Sequence, residues 1–175
     1  MKVLSLFDGM SCGQLALNRL GEKVSTYYAS EVDKFAIAVT QSNFPNTVQL
    51  GDIENWRNWD IDWSSIDLVM GGSPCQGFSS SGKQLALNDP RSRLFFTFVE
   101  ILNHMKGENP NVRFLLENVK MKAEHLDVIS EHLGVKPVEI NSSKVSAQNR
   151  VRYYWANWDI TEPEDKGIKL EDILE

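Results

Sequence analysis

"KVLSLFDGMSCGQLALNRLGEKVSTYYASE", Lys2 to Glu31, is the stretch that decides the fold. An apolar run, Lys2–Phe7, leads into a loop carrying Gly9 and Gly13. A helical pattern over Gln14–Leu20 follows, stopped by Gly21, and then a second strand-like run, Ser25–Glu31. Parallel strands need a crossover long enough to hold a helix, so this order opens a parallel sheet. The alternation continues outward from there. A helix from about Lys34 to Asn43 closes at Pro45, Thr47–Leu50 is a third strand, and Asp67–Met70 is a fourth whose apolar run ends at Gly71-Gly72. Asp89-Pro90 has the N-cap and first-turn proline of a helix running through Met105. Val112–Leu116, Val135–Ile140 and Arg152–Trp158 read as further strands, with a helix over Ala123–Leu133 ended by Gly134. The sequence thus predicts one α/β domain over residues 1–160: a doubly wound, mostly parallel seven-stranded sheet with helices on both faces. Residues 161–175, short and acidic, read as a linker or the start of a further region.

Composition narrows the class. With 175 residues, 42% hydrophobic and 24% charged, the chain can bury one real core. The apolar opening stops at Asp8, far short of a signal or membrane-spanning segment. Cys12 and Cys75 form no close-spaced pair, and His104, His125 and His132 have no metal-ligand spacing. A disulfide scaffold and a metal site are therefore not expected, and a reducing cytoplasmic compartment is. A net charge of -6 argues against coating nucleic acid by bulk electrostatics but leaves room for a local basic site. Trp56, Trp59 and Trp63 are spaced for one face of a short helix or turn packed on the sheet, so they read as core rather than as base-stacking platforms.

In open α/β sheets ligands gather at the carboxyl ends of the strands. That rule selects the Asp8–Gly13 loop, Glu31, Asp52, Pro74–Gln76 and Glu117-Asn118. The glycine loop is not G-x-G-x-x-G, and by itself it fits a tight turn as well as it fits a backbone approaching a ligand. Glu31 stands where an acid binds the hydroxyls of a ribose, or it is a solvated strand end. Asp52, in "GDI", can accept from an adenine amino group with Ile53 against the ring, or serve only its own turn. Together they favour an adenosine-type ligand. No basic residue sits in the glycine loop to meet a pyrophosphate, which points to a nucleoside cofactor without phosphates.

"GGSPCQGFS", "LLENV" and "QNRVRYYW", in this order, carry a resemblance. From about Val3 to Trp158 the chain resembles the cytosine-5 DNA methyltransferases, which have a Rossmann-like fold. The resemblance implies S-adenosylmethionine as cofactor and S-adenosylhomocysteine as product. It also implies a cofactor set of Phe7, Asp8, Gly9, Met10, Gly13, Glu31, Val32, Asp52, Ile53 and Pro74. Pro-Cys-Gln would supply the nucleophile, Cys75; Glu-Asn-Val the acid, Glu117; and Gln-x-Arg-x-Arg the residues Gln148, Arg150 and Arg152. The residue types suit such chemistry. Carbon 5 of cytosine is a poor nucleophile until a thiolate adds at carbon 6, while an acid at ring nitrogen 3 draws in the electrons. A partly desolvated Glu117 could keep the required proton. Arg152 can polarise the exocyclic oxygen, with Arg150 more suited to phosphate, and Gln148, Arg150, Arg152 and Tyr154 are expected on one side at strand spacing. The Gly77–Asp89 stretch reads as a lid over a base taken out of the duplex.

After Trp158 the chain departs from that family's pattern: "DITEPEDKGIKLEDILE" stands where a recognition region and a closing asparagine motif would follow. The expectation is a truncated or split enzyme acting on DNA, with a second polypeptide carrying the recognition region. A catalytically silent fragment that binds cofactor or a partner is the alternative. A thiol oxidoreductase using Cys75 is disfavoured by the lack of a nearby resolving cysteine.

Overall fold

The computed structural model describes residues 1–74 and 90–174. Cys75, Gln76, the expected lid and the Asp89 N-cap lie outside the described residues. The strands are β1 (Lys2–Leu6), β2 (Thr26–Ser30), β3 (Val48–Gln49), β4 (Leu68–Gly71), β5 (Arg113–Val119), β6 (Val138–Asn141) and β7 (Val151–Ala156). The helices are α1 (Cys12–Arg19), α2 (Lys34–Asn43), α3 (Pro90–Glu108) and α4 (Ala123–Leu133), with short 3-10 turns at Ile53–Asn58 and Trp63–Ser65. One sheet holds all seven strands in the order β3-β2-β1-β4-β5-β7-β6. β1 to β5 pair in parallel, and β7 lies antiparallel between β5 and β6. The chain runs outward from β1 to β3 and then returns to start again at β4. The β1/β4 boundary is therefore the switch point at which loops diverge and leave a crevice.

Alternating side chains feed two apolar layers. Val3, Tyr27, Ala29, Leu68 and Met70 meet Leu17 of α1 on one face. On the other, Leu4, Leu6, Val69, Phe114, Leu116 and Trp155 pack on Phe95, Phe98 and Leu102 of α3 and Ile129 and Leu133 of α4. Trp56 is buried, and Trp59 and Trp63 pack partly buried against the same layer, as their spacing suggested. His104 of α3 lies against Trp56 and Trp63, at centroid distances of 5.3 and 4.9 Å.

Element ends reflect local chemistry. Asp33 caps α2 by accepting from Phe35 and Ala36 amides, and Gly134 takes φ 73° past α4. Two placements differ from the sequence reading. Glu117 and Asn118 lie inside β5, because β7 pairs along it as far as Val119↔Arg152. Gln148 and Arg150 precede β7 in a loop, so only Arg152 and Tyr154 share a strand face. Asn141 and Ser142 set that loop: Asn141 Oδ1 accepts from the Arg150 amide at 3.0 Å, and Ser142 Oγ donates to the Gln148 carbonyl at 2.6 Å. No helix among the described residues is long and apolar enough to cross a membrane.

Candidate active site

The loop after β1 is built from alternating left-handed residues: Phe7, Gly9 and Ser11 have φ of 58°, 59° and 59°. For the two that are not glycine this costs about 1–2 kcal/mol each, so surrounding bonds must hold them. They do. Asp8 accepts from Tyr27 Oη at 2.8 Å through Oδ1 and from Ser11 Oγ through Oδ2. Burial, reinforced by the Asp8 carboxylate, pushes the Tyr27 hydroxyl far above the usual tyrosine range, so it stays a donor. Gly9 is needed for its φ, since a Cβ there would meet nothing within 4 Å. Gly13 is different: it sits in α1, where a Cβ would come within 2.8 Å of Met70 Cε and 3.3 Å of Tyr27 Oη. It lets α1 close onto the sheet.

Glu31 lies just past β2 and ties the loop after β1 to its own segment through three backbone amides. Its Oε2 accepts from the Gly9 amide at 2.8 Å, and its Oε1 accepts from Val32 and Asp33 amides at 2.7 and 2.9 Å. A carboxylate has about four acceptor sites, so these bonds leave capacity at Oε2 for one further donor. Ser30, which the sequence reading did not single out, fixes the next loop: its Oγ donates to the Gly51 carbonyl at 2.7 Å, and its carbonyl accepts from the Asp8 amide at 3.1 Å. Asp52 then caps the 3-10 turn through Oδ1 to the Glu54 amide, 2.9 Å.

A cavity of about 440 Å³ opens between these loops, lined by Phe7, Glu31, Val32, Asp52, Ile53 and Pro74 among others. Leu94 of α3 also lines it, an apolar wall with no motif to betray it. Val32 is 68% exposed, an apolar surface beside the carboxylate, whereas Met10 is 56% exposed and lines neither this cavity nor the next. The second cavity, about 430 Å³, shares Phe7 and continues along Asp8, Cys12, Gly13, Gly72, Glu117, Arg150 and Tyr154. The structure thus gathers most of the sequence-predicted cofactor residues on one side of Phe7 and the acid with one arginine on the other.

Glu117 and Arg152 face each other on adjacent strands. Arg152 Nε lies 2.8 Å from Glu117 Oε1, close enough for an ion pair but off-line for a hydrogen bond. The guanidinium expected to meet a substrate oxygen is therefore turned to the carboxylate. Burial, then the Glu117 charge, raises the half-buried Tyr154 hydroxyl above its ordinary range. Gly72 leaves the acid its room: a Cβ would lie 3.2 Å from Glu117 Oε2, a tight contact that the carboxylate would have to relieve by shifting a few tenths of an ångström. Gln148 is exposed in its loop and lines neither cavity. Asn118, 2% exposed, points to the opposite face and clamps Ser73, just past β4. Its Nδ2 donates to the Ser73 carbonyl at 3.1 Å, while its Oδ1 accepts from the Val119 amide at 2.8 Å. Among the described residues no group of His, Cys, Asp and Glu is placed to hold a metal ion.

Fold and site together define an α/β enzyme domain with a nucleoside-sized cavity leading to an acid–arginine pair. The chain belongs to the family of C-5 cytosine-specific DNA methylases, whose family model matches residues 1–155. It is 36% identical over 169 residues to the type II methyltransferase M1.ScrFI of Lactococcus lactis subsp. cremoris, covering 90% of this chain and 41% of that one. It is 31% identical over 192 residues to the type II methyltransferase M.NlaX of Neisseria lactamica, covering 99% and 59%. A crystal structure of a mutant Spodoptera frugiperda DNMT2 shares the fold, with TM-score 0.63, 24% identity, and coverage of 96% of this chain and 54% of that one. The chain spans about half the length of the curated relatives it matches.

Proposed function

We propose that residues 1–160 are the catalytic portion of an S-adenosylmethionine-dependent enzyme that methylates carbon 5 of cytosine in DNA. The observation that carries this reading is the pair of cavities sharing Phe7, one lined by Glu31 and Asp52 and the other by Glu117 and Arg150. The donor set fits the cofactor. Glu31 Oε2 would accept from one ribose hydroxyl, Val32 and Ile53 would flank the adenine, Asp52 would accept from its amino group, and Asp8, Gly13 and Pro74 would frame the remainder. Gly9 acts through its amide on Glu31, and Met10, which lines neither cavity, is given no contact. When bound, the cofactor supplies an electrophilic methyl group and leaves as S-adenosylhomocysteine.

The chain's own residues do the rest. Cys75, identified by Pro74-Cys75-Gln76, adds as thiolate to ring carbon 6, forming a sulfur–carbon bond and raising electron density at carbon 5. Glu117 donates at ring nitrogen 3. Arg152 exchanges its contact with Glu117 for the exocyclic oxygen of the base, so the ion pair must open for a target to enter. After transfer, water takes the proton from carbon 5, the thiolate is expelled, and the nitrogen-3 proton returns to Glu117, which restores the aromatic ring. Arg150, with Gln148 on the same exposed loop, meets backbone phosphate.

Sequence specificity needs side chains in the grooves and phosphate contacts to set the register. A net charge of -6 works against holding a polyanion. We infer that residues 1–175 bind cofactor but turn over little duplex DNA until a recognition region is supplied, on the same polypeptide or a second one. Residues 161–175 act as the connecting segment, and the reaction takes place in a prokaryotic or viral cytoplasm. A silent cofactor-binding fragment is the second reading, favoured by Arg152 lying 2.8 Å from Glu117 rather than open to a base.

Calorimetry with S-adenosylhomocysteine and tritiated-methyl transfer to mixed-sequence duplex test these readings. Glu31→Ala should weaken binding roughly 10- to 100-fold, the worth of a charge-assisted hydrogen bond. An unchanged affinity removes Glu31 from the site. With the recognition region added, DNA containing 5-fluorocytosine should be trapped covalently, and an adduct that survives Cys75→Ala sinks that assignment. Robust methylation of one fixed sequence by residues 1–175 alone overturns the need for a further region.

A further inference from the structure

We propose that Thr40, on α2 and outside both cavities, is a positioning residue for S-adenosylmethionine; this rests on the cofactor reading above. Thr40 is fully buried, the one buried residue on α2, and its hydroxyl points into the loop after β1 rather than into an apolar layer. Thr40 Oγ1 donates to the Gly9 carbonyl at 3.3 Å and to Ser11 Oγ at 3.1 Å. Ser11 Oγ in turn donates to Asp8, whose other oxygen accepts from Tyr27.

Both peptide groups that flank the Gly9 Cα are consequently held. The Gly9 N–H donates to Glu31 Oε2, the oxygen with capacity left for a ligand, and the Gly9 C=O accepts from Thr40. Phe7, Gly9 and Ser11 are left-handed at alternate positions, a backbone that relaxes when its partners go. The one hydroxyl proton of Thr40 is shared between these two acceptors, so deleting it removes a donor from the buried Ser11 Oγ and from the part-buried Gly9 carbonyl together. The loop then loses its tie to α2, and Glu31 loses the fixed amide that orients its carboxylate. Thr40 touches no ligand and acts only through Gly9 and Ser11.

The experiment compares Thr40→Val, which keeps the shape and removes the hydroxyl, with Thr40→Ser, which keeps the hydroxyl. Affinity for S-adenosylhomocysteine is measured by calorimetry at 25 °C, and exchange of the Gly9 amide proton is followed by NMR in the free protein. Thr40→Val should bind about tenfold more weakly, or about 1.4 kcal/mol, and exchange Gly9 faster; Thr40→Ser should stay within twofold of the parent in both. Gln41→Ala is the control for loosening α2 in general. Gln41 Nε2 ties the helix end to the Pro45 and Thr47 carbonyls, at 3.5 and 3.4 Å, and touches no part of the loop. It should lower the thermal midpoint and leave affinity unchanged.

Parental affinity in Thr40→Val, or an unchanged Gly9 exchange rate, overturns the proposal. So does a Thr40→Ser loss as large as that of valine, or an equal loss in Gln41→Ala. If the parent chain itself gives no heat with S-adenosylhomocysteine, the cofactor reading fails instead, while Gly9 exchange still decides whether Thr40 holds the loop.

Discussion

Replacing Asn118 with alanine should cost this domain about 2–4 kcal/mol. Asn118 is 2% exposed, and alanine would strip the Ser73 carbonyl of its 3.1 Å donor and the Val119 amide of its 2.8 Å acceptor. Each buried group left unpaired costs about 1–3 kcal/mol, and water entering the vacated space offsets some of the pair. For a domain of this size the thermal midpoint should fall by about 2–4 °C per kcal/mol. Urea denaturation followed by tryptophan fluorescence gives the free energy directly. Asn118→Asp separates the two bonds. It keeps an acceptor for Val119 but turns a carboxylate oxygen on the Ser73 carbonyl, which only a protonated carboxyl can satisfy. Its folded pKa is therefore raised, and the stability it contributes is present at low pH and lost as pH rises through that value. The gap between Asn118→Asp and the parent should close as pH falls. A loss below about 0.5 kcal/mol in the alanine variant, or a gap indifferent to pH, would refute the clamp on Ser73.

Two further predictions concern the acid and the loop. Gly72→Ala places a Cβ 3.2 Å from Glu117 Oε2; methyl transfer in a complemented assembly should fall at least tenfold, with stability changed by under about 1 kcal/mol. Transfer at the parental rate would show that Glu117 has room to move. Tyr27 has a raised folded pKa, so its contribution is intact below about pH 10 and is lost as pH climbs above that value. Stability measured from pH 8 to 11 should decline in that alkaline window by up to about 1.4 kcal/mol per pH unit for this one proton. Tyr27→Phe should flatten the decline, and an unaltered slope would place the titration elsewhere.

The β–loop–α–β opening and the order of elements were legible because apolar periodicity and glycine punctuation are local signals. Glu117-Asn118 misled for the same reason. Two polar residues after an apolar run read as a loop, and the strand that pairs with them, β7, comes far later in the chain. The left-handed Phe7 was invisible, since a bulky aromatic gives no hint of positive φ; tertiary bonds through Asp8 and Glu31 impose it. Gly72 looked like a strand terminator, and only its proximity to Glu117 reveals a steric demand. That Glu31 and Asp52 would come to one edge was legible because strand ends converge there whatever the details of packing.

The reversed direction of β7 also governs where a tether can be attached. β7 descends to the amino edge of the sheet, where Asn157 bonds to Val112 and Phe114 at the start of β5. The following segment climbs back, so that the Lys166 amide donates to the Lys144 carbonyl, just beyond the carboxyl end of β6. Met1, by contrast, enters β1 from the amino edge, its ammonium donating to the Lys23 carbonyl. A label or fusion placed ahead of Met1 therefore projects from the side of the sheet opposite the cavities. One appended after the Lys166 crossing starts from their side, and is the better placed for a donor–acceptor pair that reports on occupancy of the cavities.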